Sequence, residues 1–476
     1  MTLTAALAHT RRTLALCLSA LCLAGGLAAL EATPASAAPA QMAGVQAHLL
    51  WSRYDAADRE RMLDRAEQAG VRMIRVDVGW ASLEAEGKGR YSAWYLKRTD
   101  HVVAEAQKRG IEVLFTFWET PCWASTAPAA LKQGCQGRWW DRGVQRYPPA
   151  EASRYAEALA FMVRRYGGRV AAWELWNEPN HDDYLVSEDQ AASYAALVRA
   201  AYPAAKAADP DATIIAGSLA DADFEFTRAL LDRGVGGNFD AWSVHPYRED
   251  RSPLHPCRPG WTKKSFTAGV PEVRKTLLEY GQRTPIWLTE FGWSTCSHRG
   301  GEAWSNCVNP SVQATYLRQA FAKMQDWSYV PVGVAFNVQD TEADSDSRLH
   351  SYGLLRADGA AKPGFLAVAA AARALGQGTR IRTRSRRLSL LLFRRGGKGW
   401  VAGRLPVGRT VRVKLHRWKS SQPRFSRRIS YNRLLRVDER GRFRHRISLA
   451  DAASGKWLAV AKGRRRPRLA ARAVVR

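Results

Sequence analysis

From Gln41 onward, short apolar runs alternate with longer segments in which apolar residues recur at three- and four-residue spacing. The short runs are Gly44–Leu50, Val71–Val78, Ile111–Trp118, Val170–Trp176, Thr213–Ser218, Ala241–His245, Pro285–Glu290 and Val332–Asn337. Their length and nearly continuous apolar character predict buried strands. Helical patterns lie between them at Asp55–Ala69, Ala93–Arg109, Pro149–Tyr166 and Glu188–Ala208, then at Asp223–Arg233, Ser265–Tyr280, Pro310–Trp327 and Gly364–Leu375. Met62, Leu63 and Ala66 share one helical face, as do Leu317, Phe321 and Met324. Gly70, Gly110 and Gly167 stand where helices should stop. Strict alternation implies a parallel sheet, and eight repeats predict a closed (β/α)8 TIM barrel over residues 41–376. An open doubly wound sheet would place a phosphate-binding glycine turn after the first strand. Leu49-Leu50-Trp51-Ser52 offers none.

After Leu375 the texture changes. Short, partly alternating segments follow at Leu388–Phe393, Gly399–Leu405, Thr410–Leu415, Arg427–Tyr431, Gly441–Ser448 and Gly455–Ala461, separated by Gly, Pro, Asp and Ser. They predict a small β-sandwich of the immunoglobulin or fibronectin kind over 377–476, ending in a strand or a basic tail.

Charge draws the same boundary. The formal net charge is +28, and residues 377–476 hold 31 Lys and Arg against three acids, leaving the barrel region close to neutral. A basic surface of this density suits anionic polymers, whether an acidic polysaccharide or a cell surface. Nucleic acid fits less well, because the module carries no recognisable binding motif.

At the other end, Arg11 and Arg12 precede a mostly apolar segment and then Ala35-Ser36-Ala37, the pattern of a cleaved signal peptide over 1–37. Export by the Sec or the twin-arginine route makes the protein secreted, with no transmembrane segment expected in the mature chain. An uncleaved anchor is the alternative. Beyond the signal stand Cys122, Cys135, Cys257, Cys296 and Cys307. Export permits disulfides, and the pairs Cys122–Cys135 and Cys296–Cys307 close the shortest loops, leaving Cys257 free. Zinc is the weaker reading, since no pair has Cys-x-x-Cys spacing.

Reacting groups of a (β/α)8 barrel sit where its strands end, at the C-terminal face. The fourth strand delivers Asn177 and Glu178, the sixth His245 and Tyr247, and the seventh Glu290. The second delivers Arg75 and Asp77, two apart and so on one face. Two Glu residues from non-adjacent strands can face each other across the mouth. Glycoside hydrolysis needs such a pair: one carboxylic acid to protonate the leaving oxygen and one carboxylate to attack the anomeric carbon. Arg75 and the Tyr247 hydroxyl favour the charged form of Glu290, and Asn177 suits a sugar 2-hydroxyl.

These residues carry a resemblance. Trp176-Asn177-Glu178-Pro179-Asn180 and Leu288-Thr289-Glu290-Phe291-Gly292 are similar to the acid/base and nucleophile motifs of clan A glycoside hydrolases. His245-Pro246-Tyr247, Arg75-Val76-Asp77-Val78-Gly79-Trp80, Thr120-Pro121-Cys122-Trp123-Ala124 and Tyr352-Gly353-Leu354-Leu355 extend the likeness. Within the clan the barrel region most resembles family 39 and related polysaccharide endoglycosidases. The resemblance implies a retaining mechanism with Glu178 as acid/base and Glu290 as nucleophile, a polysaccharide or oligosaccharide substrate, and no cofactor or metal. It also implies a Trp platform at the end of the eighth strand. This chain has Val334-Ala335-Phe336-Asn337, so Phe336 is the nearest substitute.

Trp118, Trp123, Trp139 and Trp140 offer faces for sugar stacking, although core packing would also account for them. Asp340, Glu342, Asp344 and Asp346 alternate like calcium ligands but lack the EF-hand glycine and closing Glu, which favours a solvated loop. A non-catalytic polysaccharide- or surface-binding protein on a hydrolase-like barrel is the alternative function. Retention of both carboxylates argues for the enzyme.

Overall fold

The computed structural model describes residues 41–296, 306–343 and 347–375, and backbone strand segments between 380 and 475. Eight parallel strands close into a barrel in sequence order, with the eighth bonded to the first. They are β1 (Met42–Gln46), β2 (Met73–Gly79), β3 (Glu112–Trp118), β4 (Ala172–Leu175), β5 (Ile214–Ala220), β6 (Ala241–His245), β7 (Ile286–Phe291) and β8 (Val332–Ala335). The alternating helices are α1 (Ala56–Ala69), α2 (Ala93–Lys108), α3 (Ala152–Tyr166), α4 (Gln190–Ala208), α5 (Phe224–Asp232), α6 (Phe266–Glu279), α7 (Pro310–Met324) and α8 (Pro363–Ala374). Their starts follow from side chains that satisfy orphan N–H groups. Asp55 and Asp58 form a reciprocal box at α1, while Ser92, Asp189, Asp223, Ser265 and Asn309 cap α2, α4, α5, α6 and α7.

β1 differs from expectation. It ends at Gln46, and Leu49 and Leu50 lie buried in the turn that follows. Apolar character there serves loop packing rather than the sheet.

The barrel interior is layered, because inward residues recur every second position. At the base Met73, Leu114, Ala172, Ile215, Ala241, Trp287, Val332 and Val334 form a closed apolar plug. The next layer is polar: Gln46, Arg75, Thr116, Glu174 and Ser243 are all fully buried. Such groups persist in a core only when bonded to one another. Above them the strands open into the mouth. Two register shifts lie just below it, between Ala216 and Leu219 on β5 and between Leu288 and Phe291 on β7. An extra residue in one strand re-aims its neighbours. Only glycine fits the first shift, because Gly217 has φ 103° and a Cβ there would collide with the Ser243 carbonyl.

Cys122–Cys135 and Cys296–Cys307 are bonded, and Cys257 is a free thiol. Asp340 belongs to a buried ion pair, 2.7 Å from Lys362 Nζ, and accepts from the Gly353 N–H at 2.8 Å. It is therefore structural. Asp344 and Asp346 lie outside the described residues. Among the described residues no helix is long and apolar enough to cross a membrane.

Beyond the barrel, β9 (Arg380–Thr383), β10 (Ser389–Arg395), β11 (Lys398–Arg404), β12 (Thr410–Lys419) and β13 (Arg424–Phe425) are followed by β14 (Tyr431–Arg436), β15 (Arg442–Ile447), β16 (Gly455–Gly463) and β17 (Leu469–Val475). All pair antiparallel, in the order β13-β12-β16-β17-β9-β10-β11-β15 with β14 on β12. The expected strand at Arg427–Tyr431 begins at Tyr431, and residues 426–430 lie outside the described set.

Candidate active site

Glu178 follows β4 through an unusual backbone. Trp176 and Glu178 both have positive φ, 66° and 43°, and Ser218 facing them on β5 has φ 51°. Such conformations cost on the order of 1–3 kcal/mol each and persist only where the surroundings hold them. Here the holds are visible. Trp176 is fully buried with its N–H on the Phe117 carbonyl at 2.9 Å, and the Glu178 N–H donates to the Ser218 carbonyl at 2.8 Å. Strand pairing thereby turns the Glu178 carboxyl over the barrel axis.

Arg75 organises the floor. Its Nε donates to Glu174 Oε2 at 2.7 Å, Nη1 to Gln46 Oε1 at 3.0 Å and to Glu290 Oε1, and Nη2 to Asn177 Oδ1 at 2.8 Å. Glu174 also accepts from Thr116 Oγ1 and Ser243 Oγ, each at 2.7 Å. One guanidinium therefore ties β1, β2, β4 and β7 together. Although burial opposes its charge, the carboxylates of Glu174, Glu290 and Asp77 hold it firmly protonated. Glu174 in turn is kept below the ordinary carboxylate range: burial is the largest influence and works against it, and Arg75 leads the groups that together outweigh burial, the Ser243 hydroxyl among them. Asp77 is held down likewise, against burial, by His48 and Arg75.

The two catalytic candidates come together as expected. An oxygen of Glu178, an oxygen of Glu290 and a ring nitrogen of His245 lie within 4.8 Å of one another. His245 Nδ1 is 2.8 Å from Glu178 Oε1 and 3.9 Å from Glu290 Oε2. The Tyr247 hydroxyl donates to Glu290 Oε2 at 2.8 Å. Burial pushes the Glu178 carboxyl up to about 7. It pushes Glu290 up as well, and there His245 and Arg75 oppose it. Burial thus reaches both carboxyls, and Glu290 is the one in direct contact with Arg75. Burial lowers the His245 pKa and leaves the imidazole neutral at neutral pH.

The remaining expected residues divide. Asn177, 6 % exposed, accepts from Arg75 through its oxygen, which leaves its amide N–H group as a donor. Phe336 is partly exposed at the end of β8, its ring 5.6 Å from His48, 6.3 Å from Tyr247 and 5.4 Å from Tyr352. Trp118 packs edge-on against Tyr184 at 5.7 Å. Trp123 and Trp139 are anchors instead: Trp123 Nε1 donates to the Glu84 carbonyl at 2.7 Å, and Trp139 is buried beside the Cys122–Cys135 bridge. Trp140 is 47 % exposed and outside the ring cluster of the mouth.

Sequence reasoning passed over Glu174 and Glu119. Glu174 had a signal, since a charge inside an otherwise apolar strand requires an opposite charge, and Arg75 within β2 supplies one. Glu119, one residue past β3, had none.

Comparison with known proteins agrees with this geometry. The probable mannan endo-1,4-beta-mannosidase F of Aspergillus oryzae (strain ATCC 42149 / RIB 40) is 29% identical over 161 residues, 29% of this chain and 33% of that protein. The match thus spans about a third of the relative's length. A family 39 glycoside hydrolase from the gut symbiont Bacteroides cellulosilyticus WH2 superposes with a TM-score of 0.56 at 22% identity, covering 92% of this chain and 81% of that one. A glucosidase from Croceicoccus marinus gives 0.53 at 15% identity, covering 92% and 96%. These structural likenesses speak for the fold. The cellulase family, glycosyl hydrolase family 5, matches residues 33–331. That is more than half of the sequence, and the chain belongs to this clan A family of glycoside hydrolases.

Proposed function

We propose that the protein is a secreted retaining glycosidase that cleaves O-glycosyl bonds of a polysaccharide by double displacement. The observation that carries this reading is the closeness of the two carboxyls, with oxygens within 4.8 Å. Retaining enzymes hold the pair at about 5–5.5 Å, whereas inverting enzymes leave about 6.5–9.5 Å for a water. Glu290, charged against Arg75 and hydrogen-bonded by Tyr247, attacks the anomeric carbon. Glu178 gives its proton to the departing glycosidic oxygen, so that bond breaks as the Glu290–sugar ester forms. Glu178, now ionised, takes a proton from water, whose oxygen displaces Glu290 and restores both groups. Asn177 donates to the sugar 2-hydroxyl.

Export is supported by the N-terminal sequence and by two disulfides, which persist in oxidising compartments. Residues 377–476 serve in this reading as a separate basic β-sandwich that holds the enzyme on an anionic polymer or surface. The mannan-cleaving relative puts β-mannans first among the polymers to try.

The test is trapping with a panel of 2-fluoro glycosides followed by mass spectrometry of the digested protein. A covalent sugar on the peptide containing Glu290 is expected. Label on another residue, or turnover with inverted products, overturns the retaining assignment.

A further inference from the structure

Ser218 is fully buried, and the cleavage chemistry gives its side chain no part. It stands where β5 slips against β6. Ala216 pairs with Trp242 and Leu219 with Val244, so Gly217 and Ser218 together face the single residue Ser243. On β5, Ile215 belongs to the inner plug and Ala216 to the outer core. Alternation along an unbroken strand would therefore send Ser218 outward with Ala216. The bulge and a φ of 51° turn it inward instead. Left-handed backbone disfavours any residue with a Cβ, and such conformations cluster at active sites, where the surroundings hold them.

Every polar group of Ser218 is engaged there. Its N–H donates to Ser243 Oγ at 2.8 Å, and that hydroxyl donates to Glu174 Oε1. Its carbonyl accepts the Glu178 N–H at 2.8 Å. Its Oγ lies 3.4 Å from His245 Nε2, on the opposite side of the ring from the Nδ1 that meets Glu178. The contact is long, as such bonds often are before substrate tightens a site. Among the described residues Ser218 Oγ is the hydrogen-bonding partner of that nitrogen.

The imidazole is neutral, so one ring nitrogen carries a proton and the other is bare. The groups around the ring decide which. Nδ1 faces Glu178 at 2.8 Å and Glu290 at 3.9 Å. Glu174 and Asp77 add negative charge, and Arg75 opposes it. A bare Nδ1 would turn its lone pair on the two nearest carboxyls. It would also leave Glu178 without a donor once the acid had given up its proton, because the ring proton would then sit on Nε2. With the proton on Nδ1, the N–H donates to Glu178 Oε1 in both states of the carboxyl. Nε2 is then bare and buried, and needs a donor.

We propose that Ser218 is a positioning residue of the cleavage reaction, whose hydroxyl donates to His245 Nε2 and holds the imidazole as the Nδ1–H tautomer. Glu178 Oε1 is thereby committed to accepting from His245. The proton given to the leaving oxygen, and later taken from water, is carried on Oε2. No proton crosses the ring. The Nδ1–H bond strengthens as Glu178 becomes charged, which favours the transition state over the resting acid. This role rests on the glycosidase reading, whereas the hydrogen positions can be read whether or not a substrate is turned over.

Neutron diffraction from crystals of the full-length protein, exchanged into heavy water near neutral pH, locates these hydrogens directly. Deuterium is expected on His245 Nδ1 and not on Nε2, with the Ser218 O–D directed at Nε2. Deuterium on Nε2, alone or together with Nδ1, overturns the proposal. Two variants then test the hydroxyl. Ser218→Ala removes it and keeps the Cβ, while Ser218→Gly removes it and relieves the positive φ. Each should lower kcat by about tenfold, the scale of one hydrogen bond, with KM within about twofold. The denaturant midpoint of Ser218→Gly should stay close to that of the wild type, because relief of the backbone offsets the lost bond. Loss of kcat without loss of stability separates positioning from a purely structural role. Unchanged kcat in both variants overturns the role, as does a loss of kcat matched by a lowered midpoint in both. Should the wild type cleave no glycan, the glycosidase reading fails separately, and the neutron result still supports or overturns the tautomer.

Discussion

His245 Nδ1 stands 2.8 Å from Glu178 Oε1, joining the candidate acid to a neutral imidazole at the centre of the mouth. A neutral ring can receive the Glu178 proton bond through a bare nitrogen or give an N–H to the ionised form. It therefore suits both halves of the proposed reaction, in which Glu178 is first acid and then base.

The pH dependence follows from the burial of Glu178. Its pKa is raised to about 7, so the proton it must donate is present below that pH and lost above it. The kcat/KM profile on substrates with poor leaving groups should fall on the alkaline side from about pH 7, roughly tenfold per unit. In Glu178→Gln this limb should vanish, and azide should restore turnover of activated aryl glycosides. An alkaline limb that persists in the variant assigns it to another group.

Glu290 should be the less replaceable carboxyl. Glu290→Gln should lower kcat by roughly a thousandfold or more, about 4 kcal/mol of lost transition-state stabilisation, and abolish trapping by fluoro sugars. Tyr247→Phe is the finer probe. It removes a donor to the ionised form of Glu290 and leaves Arg75 in place, so the Glu290 pKa rises further. The acid limb of kcat/KM should move to higher pH, with a loss of about tenfold at the optimum. An unmoved acid limb would mean that Tyr247 does not act through Glu290.

Much of this was legible in the chain because barrel strands announce themselves by apolar character and their ends by polar residues. Each of the eight strands falls where the pattern put it, within a few residues, and Glu178, Glu290, His245, Tyr247, Asn177 and Arg75 converge. Legibility failed where side chains act through space alone. Glu174 shows itself as the counter-charge of Arg75 only once β2 and β4 are brought to one axis. Glu119 carries no periodic or motif signal, because its position depends on a left-handed turn and on the missing side chain of Gly79. The shifts in β5 and β7 are equally silent, since one extra residue in a strand changes its register without changing its apolar texture.

Arg75 should matter to folding as much as to catalysis. Arg75→Met leaves Glu174 and Glu290 buried without their cation, a change that costs about 3–5 kcal/mol. The sign of its pH dependence is fixed. In the wild type Glu174 has a lowered pKa, so its contribution is present above the unfolded carboxylate pKa and is lost as pH falls. Without Arg75 burial loses its main opponent and raises that pKa, so the variant gains relative stability as pH falls and Glu174 protonates. Denaturant unfolding should show the largest deficit near pH 7 and a smaller one near pH 5. A deficit that is constant with pH would mean that packing, and not charge, is what Arg75 contributes.

The basic module makes a prediction about salt. Residues 377–476 carry 31 Lys and Arg against three acids, while the barrel region is close to neutral, so long-range attraction to an anionic polymer resides almost entirely in the module. Exposed charges are screened over about 10 Å at 0.1 M salt and about 3 Å at 1 M. Co-sedimentation of the full-length protein with an acidic polysaccharide should therefore be strong at low ionic strength and fall at least about tenfold between 0.05 and 0.5 M salt. The barrel closes on its own strands, and α8 packs beside α1 and α7 within residues 41–375. Removing 377–476 should accordingly abolish the salt-sensitive binding and leave hydrolysis of a small aryl glycoside within about twofold, since the catalytic groups and their supports all come from the barrel. Binding that persists in the truncated protein, or that survives high salt in the whole one, would place the attraction in the cleft and remove the electrostatic role of the module.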